Sequence, residues 1–285
     1  MRTQPRATPR LVPAGEVDPA QLDRLLAADP VAHAFVAAHV DSYRGSGTSR
    51  VPPVLGTAGP GGELTGACWV GTNVVPVTLD ESGLDLIGRH LRRTGGSRHA
   101  SVFGPDELVL GLWARLERSW PRPFDVRPVQ PLLAIDHDPA PAPHPGVRIA
   151  TVEDLPAVLP ASAAMFEEEV GYSPTTGGER AYRERVGAVV EAGRCLVLTD
   201  DDGRVLFKAD LGSVALGVSQ VQGVWVDPAH RGRGLAVPCM SAAVRLARRR
   251  TPVVSLYVND YNVRALATYR HVGFERVGTF ATVLL

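Results

Sequence analysis

Between Asp136 and Gly146 the chain reads DHDPAPAPHPG, with proline alternating with alanine and histidine. Proline lacks an amide donor and fixes φ, so this run sustains neither helix nor sheet and favours an extended, semi-rigid form. At 285 residues the chain exceeds the usual size of one domain, and this segment is where a division is expected. The predicted organisation is a disordered tail over 1–10, an α+β domain over 11–135, a Pro/Ala linker over 136–146 and a second domain over 147–285.

Before the linker, DPAQLDRLLAADPVAHAFVAAHVD has helical apolar spacing interrupted at Pro30. VLGTA, LTGACWV and NVVPVTL read as short strands, and LDLIGRHLRR and ELVLGLWARLER as amphipathic helices. After the linker, Val147–Ala150 alternates as a strand and Thr151 opens a helix with an acidic first turn, running to about Phe166. A second helix is expected over Glu179–Glu191. Cys195–Thr199 and Val205–Ala209 then flank DDDGR as a hairpin. Strand SQVQGVWV, a helix to about Arg250, strand PVVSLYV, helix NVRALATYRHVGF and strand RVGTFATVLL complete the order β-α-α-β-β-β-α-β-α-β. The fold class is therefore α+β, an α/β mixed sheet with helices packed on it.

Composition excludes several function classes. The formal net charge is zero, so no global field draws the chain to nucleic acid or a membrane surface. Its apolar runs are too short to span a bilayer and its start lacks a signal-peptide core, so a cytoplasmic protein is expected. Cys68, Cys195 and Cys239 are scattered, which argues against a disulfide framework or a zinc site; no metal is expected.

The densest chemistry lies in VWVDPAHRGRGLAVPCM, Val224–Met240. A strand running straight into a helix leaves the first helical N–H groups without partners, at the positive end of the macrodipole. Gly232 and Gly234 would let a pyrophosphate approach the backbone, Arg231 and Arg233 add positive charge, and Pro238 gives up a donor with no intrahelical partner. The turn reads as a diphosphate cradle or as a flexible Arg-Gly connection. It is neither GxGxxG nor GxxxxGK[ST].

Two motifs together resemble the GNAT acetyltransferase superfamily. Arg231, Gly234 and Ala236 meet its pyrophosphate-loop pattern. Asn259, Asn262, Tyr269, Gly273 and Phe274 in LYVNDYNVRALATYRHVGF meet its second signature. The resemblance covers about 147–285 and implies an acyl-CoA N-acyltransferase fold with acetyl-CoA as donor substrate. It implies that main-chain groups of Val224 and Val226, either side of Trp225, pair with the pantetheine arm. The N–H groups of Arg231, Gly232, Arg233, Gly234, Leu235 and Ala236 would hold the diphosphate, and Asn259 and Asn262 would flank the cofactor, Asn262 as a helix N-cap. Tyr269 would protonate the departing thiolate. Relatives often carry a glutamate on the strand before the loop or the one after, whereas these strands show Ser219, Gln220, Gln222, Ser255 and Tyr257. Gln222 orients a water or is a plain exposed amide. In MFEEEVGYSP, Glu167, Glu168 and Glu169 attract a cationic acceptor or are solvated, with Glu168 the chosen candidate; Asp210 is weaker.

Arg245–Arg250 reads as the cationic last turn of a helix rather than a nucleic-acid site, and Cys239 as packing rather than a nucleophile. The first half resembles, through DPVAHAFVAAHVD and its layout, the GNAT-like half of two-domain actinobacterial-type proteins, which implies either a degenerate copy that walls the acceptor site or a separate interaction module. Lacking such a loop, it should not bind CoA. The expected function is N-acetylation of a primary amine, small molecule or protein; the alternative is a noncatalytic acyl-CoA-binding or sensory protein. A homodimer is left open.

Overall fold

The computed structural model describes residues 9–47 and 50–285. It divides into two compact units that are not the two halves of the sequence. Of the described residues, unit 1 comprises 9–47, 50–132, 257–261 and 276–285; unit 2 comprises 133–256 and 262–275.

The elements, in chain order, are β1 (Arg10–Val12), α1 (Pro19–Ala27), α2 (Pro30–Gly45), β2 (Val54–Ala58), β3 (Leu64–Val70), β4 (Asn73–Val77), α3 (Glu81–Thr94), β5 (Ser101–Pro105), α4 (Asp106–Leu116) and β6 (Asp125–Ile135). The remainder are β7 (Arg148–Ile149), α5 (Leu155–Val170), α6 (Glu179–Glu191), β8 (Cys195–Thr199), β9 (Val205–Ala215), β10 (Val218–Val226), α7 (Ala236–Arg248), β11 (Val253–Tyr257), α8 (Val263–Val272) and β12 (Glu275–Leu284). The order β-α-α-β-β-β-α-β-α-β read for the second half is observed, and β1 to β6 repeat it in the first.

In unit 1 the strands run β1-β2-β3-β4-β5-β12-β6. The pairing is antiparallel from β1 to β4, and β4 and β5 are parallel. Asp18 and Asp29 cap α1 and α2, accepting from the N–H groups of Gln21 and Ala32, and a proline opens each helix. That explains the break at Pro30: it starts a second helix where an Asp cap is already in place. The chain's last strand, β12, pairs antiparallel with β5 from Phe280↔Pro105 to Leu284↔Ser101; this ladder assigns it to unit 1. Strand β1 corrects one expectation. Arg10 pairs with Ala58, so the irregular tail cannot extend through residue 10; the rest of that expectation, residues 1–8, lies outside the described residues. The sequence reading also passed over β5 and β6.

In unit 2 the strands run β11-β10-β9-β8-β7, antiparallel except for β10 with β11. Helices α5 and α6 pack on β9 and β10, burying Val158, Ala161, Val190, Cys195, Val197, Val205 and Trp225 together. Residues 136–147 form no helix or strand, but they are fastened to α7. The Ser241 hydroxyl donates to the Pro141 carbonyl at 2.6 Å, Arg245 pairs with Asp138 at 3.0 Å and donates to the Pro139 carbonyl, and Arg248 also pairs with Asp138. Two arginines of the basic run therefore have carboxylate partners within unit 2.

Thr151 and Asp154 close a capping box ahead of α5. Arg148 donates twice to the Asp154 carboxylate, at 2.6 and 2.8 Å, and the Thr151 N–H donates to it at 2.7 Å. The Arg148 hydrogen bonds, foremost, hold the Asp154 carboxyl down at about 2. Its contribution to stability is thus complete above the ordinary carboxyl range and lost as pH falls through about 2. Asp154→Asn is expected to lower unfolding free energy at pH 7 by about 1 kcal/mol. Urea unfolding at both pH values should show that difference vanishing near pH 2.

Candidate active site

Strands β10 and β11 are joined by only three register pairs, Val218↔Val253, Ser219↔Val254 and Gln220↔Ser255. Beyond Gln220 the ladder between β10 and β9 is itself irregular. It passes from Gln222↔Asp210 to Trp225↔Lys208, skipping Gly223 and Val224. Gly223 sits at φ +58°, a conformation only glycine adopts without strain. The result is a bulge whose backbone is displaced from regular pairing where β10 leaves β11.

After β10, Asp227 folds the chain over. Its carboxylate accepts from the Ala229 N–H at 2.8 Å and pairs with Arg204 at 2.7 Å, and its own N–H donates to the Leu206 carbonyl. Gly232 and Gly234 then take φ +74° and +78°. A Cβ at either would meet nothing within 4 Å, so the chain needs these glycines for backbone conformation and leaves open space beside them. Helix α7 begins at Ala236 with Leu235 as its cap residue and no side-chain cap. The first intrahelical donor is Cys239, bonding to the Leu235 carbonyl at 3.1 Å. The N–H groups of Ala236 and Val237 therefore lie at an uncapped, positive helix end preceded by two left-handed glycines, which is the arrangement that binds anions. Pro238 occupies the first turn as expected.

Unit 1 offers a direct comparison, since β4, α3 and β5 follow one another as β10, α7 and β11 do. There Asp80 caps α3, accepting from the Gly83 N–H at 2.7 Å and from the Ser82 hydroxyl. Those hydrogen bonds, the Gly83 one foremost, lower its carboxyl below the ordinary range. The helix end that would receive a phosphate in unit 1 already carries a carboxylate.

Arg231 and Glu168 are found together. The Arg231 guanidinium donates to both Glu168 oxygens, at 3.0 and 2.7 Å, and to the Val226 carbonyl at 2.9 Å. The Trp225 indole N–H donates to the same carboxylate at 3.2 Å. The three candidates thus form one latch between the end of α5 and the loop, with Arg231's charge directed at Glu168. Arg233 is exposed and has no ion-pair partner among the described residues. Gln222 is exposed and lies over Gly212, where a Cβ would come within 2.3 Å of its amide carbon.

Asn262 caps α8, accepting from the Ala265 N–H at 3.1 Å. Tyr269, two turns on, is buried against Phe274 with ring centroids 5.8 Å apart. Burial, reinforced by the Glu169 carboxylate, raises its phenol well above the ordinary tyrosine value. Sequence reasoning had Glu169 only as one of three similar carboxylates. Asn259 lies in unit 1 and accepts from the Gln130 side chain at 2.8 Å; Gln130 in turn accepts from Thr282 at 2.6 Å. Cys239 is fully buried, its thiol pushed up by burial to about 12, which makes it a poor nucleophile at neutral pH. Among the described residues no group of three or more potential metal ligands gathers, and no helix is long and apolar enough to cross a membrane.

Residues 162–274 match the family described as Acetyltransferase (GNAT) family, and residues 53–158 match a domain of unknown function, DUF4081. The chain carries a GNAT acetyltransferase domain preceded by a second domain, and it is an acyltransferase of that type. It is similar to a mycothiol acetyltransferase of Tsukamurella paurometabola, 29% identical over 87% of this chain and 93% of that protein. It is also similar to one of Mycobacterium avium, 35% identical over 46% of each. In fold it resembles a GNAT acetyltransferase from Colwellia psychrerythraea, with TM-score 0.57, 14% identity and coverage of 98% and 99% of the two chains. It likewise resembles a tandem GNAT protein from the clavulanic acid biosynthesis pathway, with TM-score 0.51, 14% identity and coverage of 97% and 98%.

The latch is half exposed on both sides, so it contributes little to stability, about 0–1 kcal/mol. Glu168→Gln is expected to leave the melting temperature nearly unchanged while releasing Arg231. Inorganic pyrophosphate, titrated calorimetrically, should then bind several-fold more tightly than to the unaltered protein. Weaker binding would mean that Glu168 holds Arg231 in the anion-binding position.

Proposed function

We propose that the chain transfers the acetyl group of acetyl-CoA to a primary amine by direct attack, with Tyr269 as general acid. The observation that carries this reading is the uncapped start of α7 behind Gly232 and Gly234. The donor's diphosphate would rest on the N–H groups from Arg231 to Ala236, and the pantetheine arm along β10 where its ladders lapse. The Val226 carbonyl already accepts from Arg231, so Val224, in the bulge, is the better-placed partner for that arm. An N–H at the bulge would polarise the thioester carbonyl and stabilise the oxyanion of the adduct. As the C–S bond breaks, Tyr269 would donate its proton to the thiolate. Its raised phenol supports that role, since the group stays protonated throughout the working pH range.

The similarity to mycothiol acetyltransferases over most of the chain makes the mycothiol precursor lacking its acetyl group the first acceptor to try. Peptide N-termini come next, through a 44% identity over 59 residues with an N-alpha-acetyltransferase of Mycobacterium tuberculosis.

Calorimetric titration with acetyl-CoA tests the donor. Binding is expected in the unaltered protein and is weakened at least tenfold by Gly234→Trp, which cannot adopt the left-handed φ without strain. Absence of binding in the unaltered protein overturns the transferase reading. For Tyr269→Phe, acetyl-CoA affinity should hold while kcat falls about 100-fold or more. Because a raised phenol pKa keeps the acid protonated as pH rises, the unaltered enzyme should lose no activity to Tyr269 ionisation up to pH about 10. Retained turnover in Tyr269→Phe, followed by thiol release, removes the tyrosine from the mechanism.

A further inference from the structure

Three carboxylates, Glu167, Glu168 and Glu169, stand in the last turn of α5. Negative charge at a helix C-terminus opposes the macrodipole. The helix is already closed by Gly171, whose left-handed backbone donates to the Glu167 carbonyl at 2.9 Å. The acids are therefore not explained by the helix itself. Their surroundings differ. Glu167 acts electrostatically on Tyr182 and Glu169 on Tyr269, so this end of α5 lies within electrostatic reach of the proposed acid. Glu168, between them, carries the Arg231 guanidinium on both oxygens and the Trp225 indole on one.

The two ties on Glu168 are unlike. Trp225 is buried in the core beneath α5, so its indole holds the carboxylate from a fixed point. Arg231 stands in the loop directly before the left-handed Gly232, and its side chain is 42% exposed against 43% for Glu168. An exposed pair of this kind is weak, and neither partner must leave a core to change partners. The same guanidinium also donates to the Val226 carbonyl at 2.9 Å, at the end of the strand along which the pantetheine arm is proposed to lie. One side chain thus withholds a group from each substrate: a carbonyl from the donor and a carboxylate from a cationic acceptor.

We propose that Arg231 is an interlock between the two substrates, leaving Glu168 and the Val226 carbonyl for the donor's diphosphate and so baring the acceptor-binding carboxylate only once the donor is seated. This rests on the acetyl-transfer reading above. A diphosphate carries more negative charge than a carboxylate and offers the same bidentate geometry, so a guanidinium within reach of both goes to it. The Val226 carbonyl then becomes a second partner for the pantetheine arm beside Val224. Glu168, still fixed by Trp225, keeps its full charge. An ammonium that arrives before the donor must displace Arg231; one that arrives after it meets a bare carboxylate. The step is one of binding, in which no bond forms or breaks and no proton moves. Because the coupling is reciprocal, a seated cation must tighten the donor by the same factor.

The test uses CoA, which has no acetyl group to transfer, and propane-1,3-diamine as the probe cation, both titrated calorimetrically. Saturating CoA is expected to lower the Kd of the diamine about two- to fivefold, and saturating diamine the Kd of CoA by the same factor. In Glu168→Gln that coupling should vanish while CoA alone binds more tightly than to the unaltered protein. Arg231→Gln should bind the diamine without CoA about as tightly as the unaltered protein does with it. Plain attraction between the donor's phosphates and the diamine would survive in Glu168→Gln, so coupling that persists there overturns the inference. So does CoA binding with no coupling, or no diamine binding, in the unaltered protein. A reading on the unaltered protein needs no change of charge: the indole ¹⁵N–¹H resonance of Trp225, identified by its loss in Trp225→Phe, should shift when inorganic pyrophosphate is added and stay in place with chloride at equal ionic strength. An unmoved resonance overturns the inference even if the charge variants fail to fold. Failure of the unaltered protein to bind CoA at all would instead overturn the transferase reading itself.

Discussion

The short contact between β10 and β11 is the constraint on which the rest of the site depends. Three register pairs hold the strands together up to Gln220 and Ser255; had the ladder continued, β10 would have spent its backbone groups on a neighbouring strand. Instead the chain bulges at Gly223 and Val224, returns to β9 at Trp225 and turns through Asp227. Every element proposed to handle the donor then follows along one continuous stretch: displaced strand backbone, left-handed glycines, bare helix start. Oriented N–H groups at that helix start supply a positive potential of their own.

The repetition of element order in the two halves sets a capped helix start against an uncapped one. Both halves place a helix between a strand and its parallel neighbour. In one, Asp80 supplies the oxygen that accepts from the first-turn Gly83 N–H. In the other, Gly232 and Gly234 lead in and no side chain does so. Capping stabilises a helix by about 1 kcal/mol, so the bare start of α7 forgoes stability that α3 retains. A helix start that forgoes its cap with no compensating contact is where a ligand-binding end is expected.

Much of this was legible in the sequence because the signals were local. Short apolar runs between turns marked β2, β3 and β8 to the residue, and helical apolar spacing interrupted at Pro30 marked α1 and α2. The glycine and arginine turn was visible as such. Side-chain partnerships were not legible. Nothing in EEE distinguishes Glu168, which meets Arg231 and Trp225, from Glu169, which acts on Tyr269; only the rotation of the last turn of α5 separates them. Asp210 read as the weaker candidate because β9 was taken to stop at Ala209, whereas it continues to Ala215 and places Asp210 mid-strand, paired with Lys208. Strand β5, SVFGP, was missed because glycine and proline within five residues mask its alternation. The assignment of β12 to unit 1 is a long-range pairing that no local pattern encodes.

That pairing bears on how the chain is made. Strand β5 must wait for a partner that emerges roughly 180 residues later, which at about 5–20 residues per second takes on the order of ten to forty seconds. During that interval unit 1 exposes an open strand edge on the ribosome, the kind of edge that recruits wrong partners. The same ladder means that proteolysis within 136–146 would not release two self-sufficient bodies: the N-terminal fragment would lack β12, and the C-terminal one would carry an unpaired strand.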